Sequence, residues 1–184
     1  MLKNNGFQGD NPGLTAYKAV GGVTISQDTS NPLSSAINSS LKVSVPSGTT
    51  GWVGFANTGY LGVPVIETTY QTYFWIKGDY SGTINLRLVG TVSGIVYASQ
   101  NITVDSVSSE FTYHETAFTS SASPDGNNEW ELLFEGSKVE DSSLNFGLVQ
   151  LFPPTFHARY TRDYSYQWKH FELTENLQIQ WLER

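Results

Sequence analysis

Apolar and polar residues alternate with a period of two along most of this chain. In "SLKVSV", Leu41, Val43 and Val45 fall on one side and polar residues on the other. "TINLRLVG" repeats the arrangement with Ile84, Leu86 and Leu88. "GIVYASQNITV", "EFTYHETAF", "EWELLFEG" and "SLNFGLVQLF" are further short runs rich in β-branched and aromatic residues. Turn signals separate them: "DNPG", "TSNP", "PSGTTG", "KGDYSG" and "SPDGNN". No apolar stripe of helical period interrupts the first 155 or so residues, and "NPLSSAINSS" allows a helical turn at most. Many short strands at regular spacing predict an all-β fold, an antiparallel β-sandwich of the jelly-roll type.

One pair of runs allows a register to be written. "YQTYFWI" and "TINLRLV" flank "KGDYSG". A hairpin centred on Tyr80 places Ile76 opposite Ile84 and Phe74 opposite Leu86, on a core face. The other face then sets Trp75 opposite Asn85 and Tyr73 opposite Arg87, about 5 Å apart. Two flat rings beside an amide and a guanidinium suit carbohydrate. Ring faces take the apolar C–H side of a sugar, and planar polar groups take its hydroxyls. Outward rings are also common on sandwiches, and a neighbouring domain covers them equally well.

"GWVGFANTGYLGVPV" raises the same question. Alternation groups Trp52, Gly54 and Ala56 on one face, and Val53, Phe55 and Asn57 on the other. Glycines beside large rings allow close approach of backbone or ligand. Trp52 and Tyr60 are the ring candidates here, with core packing the competing explanation.

The 184 residues suit one domain and bury a core without staples; there is no cysteine. A net charge of -7 with sparse basic residues argues against nucleic acid as a partner. It argues equally against a membrane surface, and no apolar run has the length of a spanning helix. "MLKNNGFQGDNPG" shows no apolar signal-peptide core. Two N-x-S/T sequons, at Asn38 and Asn101, are glycosylation candidates in a secreted protein.

Residues 1–156 form the predicted sandwich. Residues 157–184 differ: they lack glycine and proline and hold six aromatics and four charges of each sign. The whole net charge therefore belongs to the sandwich. This tail reads either as one amphipathic helix, with Trp168, Phe171, Leu173, Leu177 and Trp181 on one side, or as a stretch never selected to fold, the product of a displaced or unspliced reading frame.

Little in the chain speaks for catalysis. His114, His157 and His170 have no metal-ligand spacing, and no nucleophile elbow, P-loop or dinucleotide fingerprint is present. Glu131 and Glu135 share a strand face, which a solvated surface explains better than a glycosidase carboxylate pair.

The strings "NGFQGDNPGLTAYKAVGG", "GWVGFANTGYLGVPV", "KGDYSGTINLRLVG", "SPDGNNEWELLFEG" and "LNFGLVQLFPPTF" closely resemble fungal α-L-arabinofuranosidases of glycoside hydrolase family 51, over nearly all of residues 2 to 158. The resemblance is to the β-sandwich that precedes most of their catalytic barrel, which is similar to carbohydrate-binding modules of families 4 and 9. It implies a galactose-binding-like jelly roll, an extracellular setting, and a parent enzyme that releases arabinofuranose from arabinoxylan and arabinan with two barrel glutamates. Neither glutamate has a matching position here, so no catalytic residue is carried over, no cofactor is expected, and the chain alone is expected to be inactive. The family-4-like modules often hold a structural calcium near a "GFE" motif and a late acidic pair. Here Gly6, Phe7 and Gln8 stand at the first and "FGLVQ" at the second, so no tightly bound metal is expected. The resulting expectation is a non-catalytic module that binds plant cell-wall polysaccharide through Trp75, Tyr73, Asn85 and Arg87, then Trp52 and Tyr60. The competing expectation is a scaffold that packs on its own catalytic barrel and binds no sugar.

Overall fold

A computed structural model describes residues 2–8, 14–123 and 126–153. The tail, residues 157–184, lies outside the described residues. Among the described residues ten strands run in order: β1 (Tyr17–Val20), β2 (Thr24–Asp28), β3 (Ser40–Val45), β4 (Trp52–Asn57), β5 (Thr68–Lys77), β6 (Tyr80–Gly90), β7 (Val96–Ser106), β8 (Thr112–Ser120), β9 (Asn128–Glu135) and β10 (Ser142–Phe152). A single 3-10 turn, Gly136–Lys138, precedes β10, and the described residues contain no α-helix. The first sheet has the order β1-β4-β9-β6-β7 and the second β2-β3-β10-β5-β8. All of their pairings are antiparallel.

Alternation drives the two sheets together. Leu41, Val43 and Val45 of β3, Tyr70, Phe74 and Ile76 of β5, and Ile84, Leu86 and Leu88 of β6 are all buried, as their period-two pattern requires. An aromatic chain links the layers at its centre. Phe55 meets Trp130 at 6.1 Å and Phe146 at 5.1 Å between ring centroids, and Phe146 stacks on Phe134 at 6.2 Å. Edge and offset contacts at these spacings add about 0.5–1.5 kcal/mol each beyond the area they bury.

The predicted hairpin does not form. β5 pairs with β10 and β8, whereas β6 pairs with β9 and β7, so the two runs belong to different sheets. Between them Gly78, at φ 127°, turns the chain from one layer to the other. The corner is fastened from β7 and beyond: the Ser106 hydroxyl donates to the Gly78 carbonyl at 2.6 Å, and the Ser108 N–H donates to Asp79 at 2.9 Å. The inward faces expected for both strands are correct. Their pairing is not, because the two-residue connection Gly78–Asp79 serves a sheet-to-sheet corner as readily as a hairpin.

Candidate binding faces

The corner redistributes the predicted site. Tyr73 and Trp75 point out from the second sheet. Asn85 and Arg87 point out from the first, on the opposite side of the sandwich, so the four-residue platform is not assembled. Asn85 lies across from Asn101 and Leu133, and Arg87 from Ser99 and Glu131. The Asn85 amide donates to Ser99 Oγ at 2.8 Å and to Asn101 Oδ1 at 2.6 Å. Arg87 is committed to Glu131: Nε donates to Oε2 at 2.8 Å, and a terminal nitrogen contacts the same oxygen. Glu131 is therefore a nearly buried, ion-paired group rather than a solvated one. Its neighbour Glu129 lies 2.7 Å from Lys18 Nζ. Glu135 pairs with Lys138 at 2.6 Å, and that bond outweighs its partial desolvation and holds its carboxyl below the usual range.

Trp52 joins Asn85 and Arg87 on the first sheet's outer face and is 45% exposed. The row Gly54, Leu133, Asn85 separates the row of Trp52 from that of Arg87. Val53, Phe55 and Asn57 are buried as alternation requires. Tyr60 lies beyond the strand, in a turn closed by a bridge between Gly59 and Gly62, with Lys3 Nζ 5.8 Å from its ring centroid. Asn57 anchors this turn and the start of the chain together, accepting from Gly59 N at 2.8 Å and donating to the Lys3 carbonyl at 2.9 Å.

The second sheet carries the denser ring cluster. Trp75 contacts Tyr113 at 5.2 Å, Tyr113 contacts Tyr73 at 6.3 Å, and Tyr73 contacts Phe152 at 5.7 Å. Tyr113 comes from β8, directly opposite Trp75, and Phe152 from the end of β10. Polar side chains interleave: Glu115 and Gln150 lie opposite Tyr73 on either side, and Gln71 lies opposite Phe152. Sequence reasoning missed Phe152 because β10 carries a bulge. A three-residue step, Gly147 to Gln150, faces the two-residue step from Trp75 to Tyr73, with Leu148 at φ 39°. Strict alternation from Leu144 would turn Phe152 inward; the extra residue sends Val149 and Leu151 inward instead.

The segment between β2 and β3 forms a wall beside these rings. Leu33 packs directly over Gly147, where a Cβ would lie 3.1 Å from the leucine. Asp28 secures the segment. It accepts from Ser30 N at 2.8 Å, Ser30 Oγ at 2.5 Å, and the amides of Asn31 and Asn145, each at 2.9 Å. Partial burial pushes the Asp28 carboxyl up, but these donors together outweigh it and hold it well below the ordinary range. Lys77 Nζ donates to Asn31 Oδ1 at 3.0 Å, tying the wall to β5.

The remaining candidates are more ordinary. His114 faces inward, stacks on Phe74 at 5.6 Å and shares a 3.2 Å hydrogen bond with Thr112; burial lowers its pKa. His157 and His170 lie outside the described residues. Asn38 and Asn101 are both exposed. The residues at the family's calcium position do not fit that ion. The Phe7 carbonyl already accepts from Gln27 Nε2 and Ser39 Oγ, each at 2.7 Å. The Gln8 amide donates to Ala36 O at 2.9 Å and Asn38 Oδ1 at 3.2 Å. Neutral donors thus occupy these oxygens, and among the described residues no group of acidic or histidine side chains is placed to hold a metal ion.

No protein-family model matches the chain. Over 159 residues, 86% of its length, the chain is 49% identical to a probable α-L-arabinofuranosidase A of Aspergillus oryzae and 47% identical to α-L-arabinofuranosidase A of Aspergillus kawachii. The chain spans about a quarter of those relatives, 25% of each. An arabinose-bound family 51 α-L-arabinofuranosidase superposes with a TM-score of 0.79 at 27% identity, covering 86% of this chain and 27% of that one. The CBM22-1 xylan-binding domain of Paenibacillus barcinonensis Xyn10C superposes with a TM-score of 0.57 at 10% identity, covering 80% and 90%, a likeness of fold alone. The chain is thus similar, in sequence and in fold, to the N-terminal, non-catalytic β-sandwich region of fungal family 51 α-L-arabinofuranosidases.

Proposed function

We propose that this sandwich is a carbohydrate-recognition module of an extracellular α-L-arabinofuranosidase acting on arabinoxylan or arabinan. The observation that carries the reading is the cluster of Trp75, Tyr73, Tyr113 and Phe152 on the outer face of the second sheet, interleaved with Gln71, Gln150 and Glu115. Rings present flat apolar faces to sugar C–H groups; the amides lie on the same face, as does the Glu115 carboxylate, which accepts from the Tyr113 hydroxyl at 2.6 Å. A shallow face of this kind buries little area, which supports affinities in the micromolar to millimolar range. Trp52, with Asn85 and Arg87, supplies a lesser face on the other side; Arg87 is less available because it is paired with Glu131. Tyr60 sits away from both. In the secretory pathway Asn38 and Asn101 are open to N-linked glycans, and neither lies among the clustered rings.

The second reading, a scaffold that binds no sugar, is favoured by the position of Phe152, which extends the cluster to the end of β10, the last strand among the described residues. Affinity electrophoresis of the full chain in gels holding wheat arabinoxylan, sugar-beet arabinan or no polysaccharide separates the two. Retardation in a polysaccharide gel, lost in Trp75→Ala with the unfolding midpoint preserved, is the expected result. Equal mobility of the folded protein in all three gels leaves the scaffold reading standing.

A further inference from the structure

We infer, resting on sugar recognition by the ring face, that Glu115 makes this face selective for uncharged chains and turns away chains that carry uronic-acid carboxylates. The four rings stand on β8, β5 and β10. The outward positions of these three strands hold two charged side chains, Glu115 and Lys77.

Glu115 is both placed and held for this role. It lies directly opposite Tyr73 on the neighbouring strand, where side chains stand about 5 Å apart. Tyr113, two residues earlier on the same face, donates its hydroxyl to Glu115 Oε2 at 2.6 Å. That bond keeps the carboxylate beside the rings instead of leaving it to swing into solvent. A sugar stacked on Tyr73 therefore meets a negative charge at close range. Its hydroxyls have protons to donate to the remaining lone pairs of Glu115. A sugar carboxylate at pH 7 has none and meets repulsion.

Lys77 does not offset that charge at Tyr73. It lies four residues away along β5, about 13 Å at 3.3 Å per residue. This exceeds the screening length of about 8 Å at physiological salt, whereas Glu115 lies inside it. Lys77 stands closer to Trp75, so the exclusion centres on the sugar seated at Tyr73. Its ammonium is also drawn to the wall, donating to Asn31 Oδ1 at 3.0 Å and lying 5.8 Å from the Phe111 ring centroid. Farther along this outer face, Lys42 and Asp28 sit on β3 and β2, two and three strands from β5. The Asp28 oxygens are filled by Ser30, Asn31 and Asn145. A fixed like charge facing one class of partner discriminates by repulsion.

Glucuronoxylan and the same polymer with its carboxyl groups reduced to alcohols are the probes, titrated calorimetrically into the full chain at pH 7. The ratio of the two affinities is the readout, so any general weakening in a variant cancels. At low ionic strength the reduced polymer is expected to bind at least about threefold more tightly. Raising the salt to about 1 M, where the screening length is about 3 Å, is expected to bring the ratio to one. Glu115→Gln keeps an acceptor for the Tyr113 hydroxyl and removes the charge, and is expected to bring the ratio to one without salt. Glu140→Gln makes the same change in net charge just before β10, at the end away from Phe152, and is expected to keep the preference. Equal affinities in the unaltered chain at low salt overturn the proposal. So does a preference that survives Glu115→Gln or high salt. A folded chain that binds neither xylan, nor arabinan, nor arabinoxylan removes sugar recognition itself and this inference with it, a result distinct from equal binding, which removes the selectivity alone.

Discussion

Asp28 shows how much of the second sheet's outer face depends on one carboxylate. Its two oxygens collect donors from Ser30, Asn31 and Asn145, and Asn145 is itself buried against Ser40 Oγ at 2.9 Å. Because the folded-state pKa is depressed, the stabilisation is present above the unfolded value of about 3.9 and is lost as pH falls through it toward the folded value. Replacing Asp28 by Asn sets amide N–H groups against the amides of Asn31 and Asn145. At pH 7, Asp28→Asn is expected to cost about 1–3 kcal/mol, the penalty of leaving buried donors without an acceptor. The difference should shrink as pH falls below about 4. Urea midpoints of both proteins at several pH values from 7 to 2 check this; parallel curves would show that Asp28 contributes no pH dependence.

At the scale of elements, Gly54 decides how closely β4 and β9 approach. A Cβ there would lie 2.1 Å from the Leu132 carbonyl oxygen, a backbone atom that no side-chain rotation relieves. Gly54→Ala should therefore cost about 3 kcal/mol or more in urea unfolding. Gly51 faces open space at φ 77°, and Gly51→Ala should cost only about 1–2 kcal/mol of backbone strain. A Gly54→Ala variant no less stable than Gly51→Ala would remove backbone approach as the reason for this glycine. Gly54 also marks what was legible in the sequence. Close approach was expected from a glycine beside large rings, but whether to backbone or ligand was open. Period-two patterning correctly placed Leu41, Phe74, Ile84 and Leu86 inward and Trp75 outward. It could not say which sheet a strand joins, since both layers read alike from within the chain. Hence Asn85 and Arg87 were paired with Trp75 and Tyr73 across a hairpin that is a corner. Tyr113 meets Trp75 through a pairing of strands separated by β6 and β7, and Phe152 turns outward through the bulge at Leu148. Neither long-range pairing nor a bulge leaves a local period in the sequence.

For the molecule as a whole, the carboxylates of β9 are not arranged, among the described residues, as a glycosidase pair. A glycosidase needs two carboxyl groups facing one bond, about 5–5.5 Å apart for retention or about 6.5–9.5 Å for inversion. Glu131 and Glu135 share a face but are separated by four residues along β9, about 13 Å at 3.3 Å per residue. Glu129 and Glu131 are nearer neighbours, yet both are almost enclosed, one against Lys18 and the other against Arg87. Removing either cation would leave a buried, unpaired carboxylate, so these pairs are fixed by folding and are not poised for a substrate. Purified full chain incubated with a chromogenic arabinofuranoside is expected to release no product above buffer. Release that co-elutes with the chain and disappears in Glu131→Gln would overturn that expectation and turn the enclosed pair on β9 from structural groups into reacting ones.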